Sequence, residues 1–252
     1  RNSIDLLNLY DFSIQNISFF SMDRAKLIIH MYTSIDGKID GDWMGNPEVE
    51  ISSAYYDNVL FELGEANANG SNTIVMYAAK GHPDLSKYKT DGIEYEDWIP
   101  NIKSETWDIS YDRQGRAGWE KNYFEYAGRK NRAIEVLTKL ASKEYLAFLR
   151  SMEIPYIICG DNEINFHESL VKVKKYFGIK TVVLGGGALI NGAFLKAGLV
   201  DEISIVIGPV VCGDTNIKDT FDTKHELVKQ HFKVTQTKIL GDGGVHLIYQ
   251  KS

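Results

Sequence analysis

Three consecutive glycines join an apolar run to a helix-like run in TVVLGGGALINGAFLKAGLVDE, residues 181–202. Glycine lets a ligand lie against the main chain. The free N–H groups and positive end of the following helix attract a pyrophosphate. Gly185, Gly186, Gly187 and Ala188 are therefore candidate dinucleotide contacts. A tight strand-to-helix turn that needs glycine for a positive φ gives the same pattern, so the triplet alone leaves both readings open. It is not GxGxxG, and it stands late in the chain, whereas an ordinary dinucleotide fingerprint follows the first strand.

A second segment, TSIDGKIDG at 33–41, places Asp36 and Lys38 just past an apolar run. Open α/β sheets bind ligands beyond the carboxyl ends of their strands. An aspartate partly withdrawn from water there can hold or relay a proton during a reduction. The plainer alternative is an Asp-Gly turn with exposed charges. Other chemistries find no support. The six histidines include no HExxH and no close pair, so no metal is expected. Cys159 and Cys212 lie far apart, which fits neither a zinc site nor a disulfide framework and suits a reducing cytoplasm. The zinc-deaminase pattern and the G-x-S-x-G elbow are both missing.

The elements that must hold these residues follow from periodicity and punctuation. Residues 26–33 read as a buried strand and 42–50 as loop. A helix is predicted from a Ser52 cap to Ala68, with Tyr55, Val59, Leu60 and Leu63 on one face, then a strand over 73–77. Residues 78–105 are irregular. Strands are predicted over 107–111, 133–137, 155–159 and 181–184, and through Ile203, Ile205 and Ile207. Ser142 caps a helix to Arg150. Asn165 and Glu168 open another, with Phe166, Leu170, Val173 and Phe177 aligned. The helix after the glycines ends at Gly198, and 232–251 is a hairpin turning at 241–244. Alternation in the middle and antiparallel pairing at the end imply a mixed sheet with helices on both faces.

The chain has 252 residues, 44% hydrophobic and 25% charged, enough for one large core. A net charge of −6 argues against a general nucleic-acid binder. No apolar run reaches membrane-span length, and the start lacks the marks of a signal peptide. Residues 22–252 are expected to form a single domain. Residues 1–21 show no clear period and read as an extension, or as an arm that packs Leu6, Leu7, Phe19 and Phe20 on a neighbour.

The segments IIHMYTSIDGKIDG and GGGALINGAFLKAGLVDEISIVIGPVVCG together resemble the reductase domain of bacterial riboflavin-biosynthesis deaminase-reductases, in the dihydrofolate-reductase-like superfamily. WDISYDRQGRAGW, 107–119, is similar to stand-alone members. The resemblance covers about 26–251. It implies a three-layer α/β/α sandwich with a mixed, mainly parallel sheet and a C-terminal hairpin. It also implies an NADPH-dependent reductase of a small heterocycle, usually a homodimer. By match, Gly185, Gly186, Gly187 and Ala188 would face the cofactor pyrophosphate, and Ser34, Asp36 and Lys38 would border nicotinamide and substrate. Asp112, Arg113 and Arg116, with Gly160, would lie toward the adenosine, Arg113 being a candidate for a 2′-phosphate. Trp43, Gly45 and Asn46 would belong to a mobile loop over the nicotinamide.

Three departures from the family pattern follow. Its Gly-Arg-x-Thr motif after the second main strand is missing where this chain reads Tyr77-Ala-Ala-Lys-Gly81. Leu184 stands where a glutamate often faces the substrate. The predicted helix 52–68 has no Arg, Lys or His where the riboflavin enzymes carry arginines for a substrate phosphate. A neutral, compact, partly apolar substrate is therefore expected, unless Lys38 or Lys80 serves a phosphate from another direction. The alternatives are a true 5-amino-6-(5-phosphoribosylamino)uracil reductase and a non-catalytic binding protein that keeps the fold.

Overall fold

The computed structural model describes residues 23–79 and 81–252. The expected extension at 1–21 and Lys80 lie outside the described residues. Among the described residues ten strands are formed: β1 (Lys26–Thr33), β2 (Ala66–Gly70), β3 (Trp107–Tyr111), β4 (Tyr123–Tyr126), β5 (Arg129–Leu137), β6 (Tyr156–Ile158), β7 (Thr181–Leu184), β8 (Glu202–Ile207), β9 (Phe232–Ile239) and β10 (Val245–Lys251). Five helices accompany them: α1 (Glu50–Glu62), α2 (Ser71–Tyr77), α3 (Lys143–Ser151), α4 (Phe166–Phe177) and α5 (Ala188–Lys196).

All ten strands join one sheet in the order β4-β5-β3-β2-β7-β1-β8-β10-β9, with β6 also on β5. The middle is parallel; β4 and the β9–β10 hairpin are antiparallel. On one face α4 and α5 bury Leu170, Val173 and Phe194 against Leu27, Ile29, Ile109 and Ile134. On the other, α1 packs over β1 and β8. There α3 sets Tyr145, Leu146 and Leu149 on Ala133, Leu137 and Tyr156. Between α1 and α3, residues Asn67, Asn69 and Asp108 of β2 and β3 face a cavity. The expected α/β/α sandwich with its C-terminal hairpin is the observed architecture.

Capping was legible locally. The Ser142 side chain accepts from Tyr145 N and that of Asn165 from Glu168 N, and Gly178 ends α4 in the left-handed conformation at φ 70°. The stretch after the first strand differs. The predicted helix 52–68 stops at Glu62, Ala66–Gly70 is a strand, and the predicted strand 73–77 lies in α2. Ala-Asn-Ala-Asn-Gly has low strand propensity, but it pairs with β3 on one side and β7 on the other. Pairing and burial of Ala66 and Ala68 override local preference. The stretch 42–50, expected as loop, forms two short 3-10 turns, Asp42–Gly45 and Pro47–Val49, and enters α1 at Glu50.

Candidate functional site

Two cavities lie beyond the carboxyl ends of the parallel strands. The inner one, about 650 Å³, is walled by Met31, Tyr56, Leu60, Asn67, Asn69, Asp108, Phe124 and Tyr126, among others. The outer one, about 500 Å³, is bounded by Ser71, Arg113, Arg116, Glu163, Ala188 and Ile190, among others. Ile39, Asn72, Thr73, Gly187 and Lys218 border both, so the two form one cleft.

Gly187 caps α5, and the first helical bond runs from Asn191 N to Gly187 O at 3.1 Å. The N–H groups of Ala188, Leu189 and Ile190 thus have no helical acceptor and sit at the positive end of the dipole. A Cβ on Gly187 would meet nothing within 4 Å and would fill the cleft. Gly186 is different. At φ +91°, its Cβ would lie 2.8 Å from Met31 Sδ, so it serves the turn and borders neither cavity. Gly185 borders the inner cavity, its Cβ position 3.2 Å from Asn69 Oδ1.

The arginines are aimed by a buried carboxylate. Asp112, fully buried, accepts from Arg116 N and from Ala117 N at 2.9 Å, closing the turn after β3. Arg113 pairs with Glu163 across the outer cavity. Arg116 donates to Ser71 Oγ and, at 3.1 Å, to Asn72 Oδ1. Gly160 borders neither cavity. At φ +102° it turns the chain so tightly that a Cβ would lie 2.2 Å from Glu163 O. Its role is to set the loop that carries Glu163. Placing β2 at Ala66–Gly70 also relocates the missing motif. The residues at the end of that strand are Gly70-Ser71-Asn72-Thr73, with serine in place of arginine. The guanidinium at this place comes from Arg116.

Ser34, Asp36 and Lys38 border neither cavity. Asp36 is exposed and accepts from Ser34 Oγ at 2.6 Å and from Cys212 N and Gly213 N at 2.9 Å each. The Ser34 hydroxyl and these two amides hold its carboxyl far below the usual range, so it carries no proton to give near neutrality. Lys38 pairs with Asp219 at 2.8 Å and donates to Ile217 O at 3.1 Å. These residues staple the loop after β1 to 210–219, which brings Ile217 and Lys218 to the cleft. The expectation of a proton relay at Asp36 is corrected on this ground. Asp36→Ala should speed hydrogen exchange at the Cys212 and Gly213 amides by about tenfold or more, as local opening becomes easier. Unchanged exchange would remove the staple role. Acid should release the staple too. The folded carboxyl titrates below the unfolded one, so its contribution persists above the ordinary aspartate range and is lost as pH falls through the depressed value.

Trp43 is buried against Tyr32, with ring centroids 5.1 Å apart, and donates from Nε1 to Asp40 O at 2.8 Å. Gly45 and Asn46 are exposed and away from the cleft; Met44 is the member of this segment on its wall. Leu184 is fully buried in the core and borders neither cavity. α1 has no basic residue. Lys218 borders both cavities and makes no ion pair among the described residues. Among the described residues no group of acids, histidines or cysteines could hold a metal.

Asn67, Asn69 and Asp108 went unremarked in the sequence. The available signal was an aspartate within a strand flanked by Trp107 and Ile109. Asp108 is completely buried, and burial pushes its carboxyl up to about 7.

Residues 126–245 match the RibD C-terminal domain. Two curated relatives are each named 2,5-diamino-6-ribosylamino-4(3H)-pyrimidinone 5′-phosphate reductase. The one from Aquifex aeolicus is 34% identical over 80 residues, 32% of this chain and 35% of that protein. The one from Methanothermobacter thermautotrophicus is 28% identical over 86 residues, 34% of this chain and 39% of that protein. The chain thus spans a third to two fifths of the curated relatives it matches. Among solved structures, RibD of Acinetobacter baumannii aligns with TM-score 0.62 and 16% identity, over 92% of this chain and 59% of that one. A pyrimidine reductase-like protein of Corynebacterium diphtheriae aligns with TM-score 0.62 and 13% identity, over 93% and 94%. At such identities they establish the fold, which is the dihydrofolate-reductase-like fold of RibD reductase domains. The RibD C-terminal match takes in β5 to β9, hence Gly160, the glycine triplet and Lys218, while β1 to β3 precede it.

Proposed function

We propose that this protein is a reductase that uses a nicotinamide dinucleotide, NADPH in particular, to reduce a pyrimidine or similar heterocycle. The observation that carries the reading is the continuity of the two cavities. One end offers free helix N–H groups and two arginines; the other is mainly apolar with a few polar groups. The open Cβ position of Gly187 is the space a pyrophosphate needs. When bound, a reduced dinucleotide supplies the hydride. The chain's residues hold it at Gly187–Ala188, direct the adenosine toward Arg113 and Arg116, and enclose the heterocycle between Tyr56, Leu60 and Phe124. The names of the curated relatives, both pyrimidinone 5′-phosphate reductases, support the substrate class.

Titration with NADPH and NADH tests the first half. Dinucleotide oxidation with ribosylamino-pyrimidinones, phosphorylated and dephosphorylated, and with pterins tests the second. No dinucleotide binding would refute the reading. A phosphorylated substrate is a second reading, and Lys218 favours it, since it supplies the cation that α1 lacks. A clear preference for the dephosphorylated compound would exclude it. Arg113→Ala should weaken NADPH about tenfold, ~1.4 kcal/mol, and NADH by less than about twofold. Equal losses would mean that Arg113 does not read the 2′-phosphate. A cytoplasmic homodimer completes the proposal, with sedimentation as the check on its assembly.

A further inference from the structure

The polar groups on the inner wall form a row. Asn67 on β2 pairs in register with Asp108 on β3, and Asn69 with Ser110, so the Asn67, Asn69 and Asp108 side chains rise from one face of the sheet. The row is tied to the glycine turn, because Asn69 lies against Gly185. The Asp108 carboxyl receives hydrogen bonds from a single group, Asn69 Nδ2, at 3.4 Å to each oxygen. No cation and no main-chain N–H donates to it among the described residues. A buried carboxylate with so little compensation favours its neutral form. The neutral acid has an O–H with nowhere to point but the neighbouring amides or the occupant of the cavity.

The other titratable groups on this wall are engaged elsewhere or make no hydrogen bond to Asp108. Asp40 is exposed and accepts from Gly41 N at 2.8 Å. Burial pushes the Tyr32, Tyr56 and Tyr126 phenols up; the Tyr32 hydroxyl bonds Ser52 Oγ at 3.0 Å, and the Tyr126 hydroxyl is given to Asp57 at 2.8 Å. Tyr77 and Lys218 are exposed, and neither hydrogen-bonds Asp108.

We propose that Asp108 is the proton donor of the reduction, with Asn67 and Asn69 holding the amide-like edge of a nitrogen heterocycle beside it. This rests on the reductase reading above. The carbon of a C=N or C=O bond accepts a hydride from the reduced nicotinamide, which is thereby oxidised. The π electron pair of that bond moves to the nitrogen or oxygen, which takes the proton of Asp108. The Asp108 carboxylate is then reprotonated by water. A side-chain amide offers both a donor and an acceptor, so the two asparagines can match the alternating N–H and C=O edge of a pyrimidinone.

The test compares the whole protein with Asp108→Asn, an isosteric change. NADPH affinity, read by fluorescence titration, should stay within about threefold. Turnover should fall about 10²- to 10⁴-fold, the scale of acid–base catalysis. Wild-type kcat/KM should fall as pH rises above about 7, and the variant should lose that limb. A third readout needs no substrate. Burial raises the folded carboxyl to about 7, above the ordinary aspartate value, so its contribution is present below about pH 4 and lost as pH rises through about 7. The Tm of Asp108→Asn should therefore gain on that of the wild type between about pH 5 and pH 8. Wild-type turnover with an unchanged pH profile in the variant would overturn the proposal and leave the reductase reading standing. A wild type that binds no dinucleotide would overturn both. If the variant does not fold, the wild-type profile decides alone: a flat profile from about pH 6 to pH 8.5 overturns the role.

Discussion

Gly187→Val is expected to weaken dinucleotide binding about 100-fold or more, ~2.7 kcal/mol, in a protein that still folds. The position has an extended φ of −68° and ψ of −171°, outside the left-handed region, and open space where the side chain would go. That space is the part of the cleft common to both cavities. The added methyls would displace an anion from the three free N–H groups of α5. Charge-assisted hydrogen bonds are each worth about 1.5–3 kcal/mol, so losing one or two accounts for the effect. Fluorescence titration measures it, and a thermal melt checks the fold. A folded variant with wild-type affinity would refute the pyrophosphate assignment. Gly186→Val is no substitute, since φ +91° and Met31 at 2.8 Å would strain the turn itself.

Gly192→Ala should destabilise the protein by about 2–3 kcal/mol, although helix propensity alone favours alanine over glycine by about 1 kcal/mol. The new Cβ would lie 2.0 Å from Asp222 O and 2.5 Å from its carbonyl carbon. Main chain cannot rotate aside as a side chain can. The segment is also fixed to α5 by Asp222 N to Ala188 O at 2.9 Å and by Asn191 Nδ2 to Thr220 O at 2.9 Å. Forcing it outward moves 216–220, which includes Lys218, so dinucleotide affinity should fall too. Urea denaturation gives the stability change, and a gain would show that the contact relaxes freely.

What the sequence made legible were elements with strong local signals. The caps at Ser142 and Asn165, the glycine turn and the hairpin at 241–244 each depend on residues near one another in the chain. The second strand did not announce itself, because ANANG has no β-branched or aromatic residue and owes its state to two flanking strands. That error also misplaced the Gly-Arg-x-Thr comparison, which depends on where the strand ends. For the site, Gly187, Ala188, Arg113 and Arg116 border the cleft, each on a turn that follows a strand. Asp36 and Lys38 were singled out for position after β1, but their partners Cys212, Gly213 and Asp219 are about 180 residues away and not inferable from spacing. Asp108 needed β2 as neighbour before its burial in a cavity wall meant anything.

The five residues common to both cavities make the two ligands thermodynamic partners. Ile39, Asn72, Thr73, Gly187 and Lys218 are each positioned to feel either occupant. Whatever factor one ligand imposes on the affinity of the other must be returned unchanged in the opposite direction. If the first ligand orders the 216–218 segment, the second finds that entropy already spent and binds more tightly. Charge runs the other way. Two anionic ligands competing for the single ammonium of Lys218 would oppose each other, so the sign of the heterotropic effect separates a phosphorylated heterocycle from a neutral one.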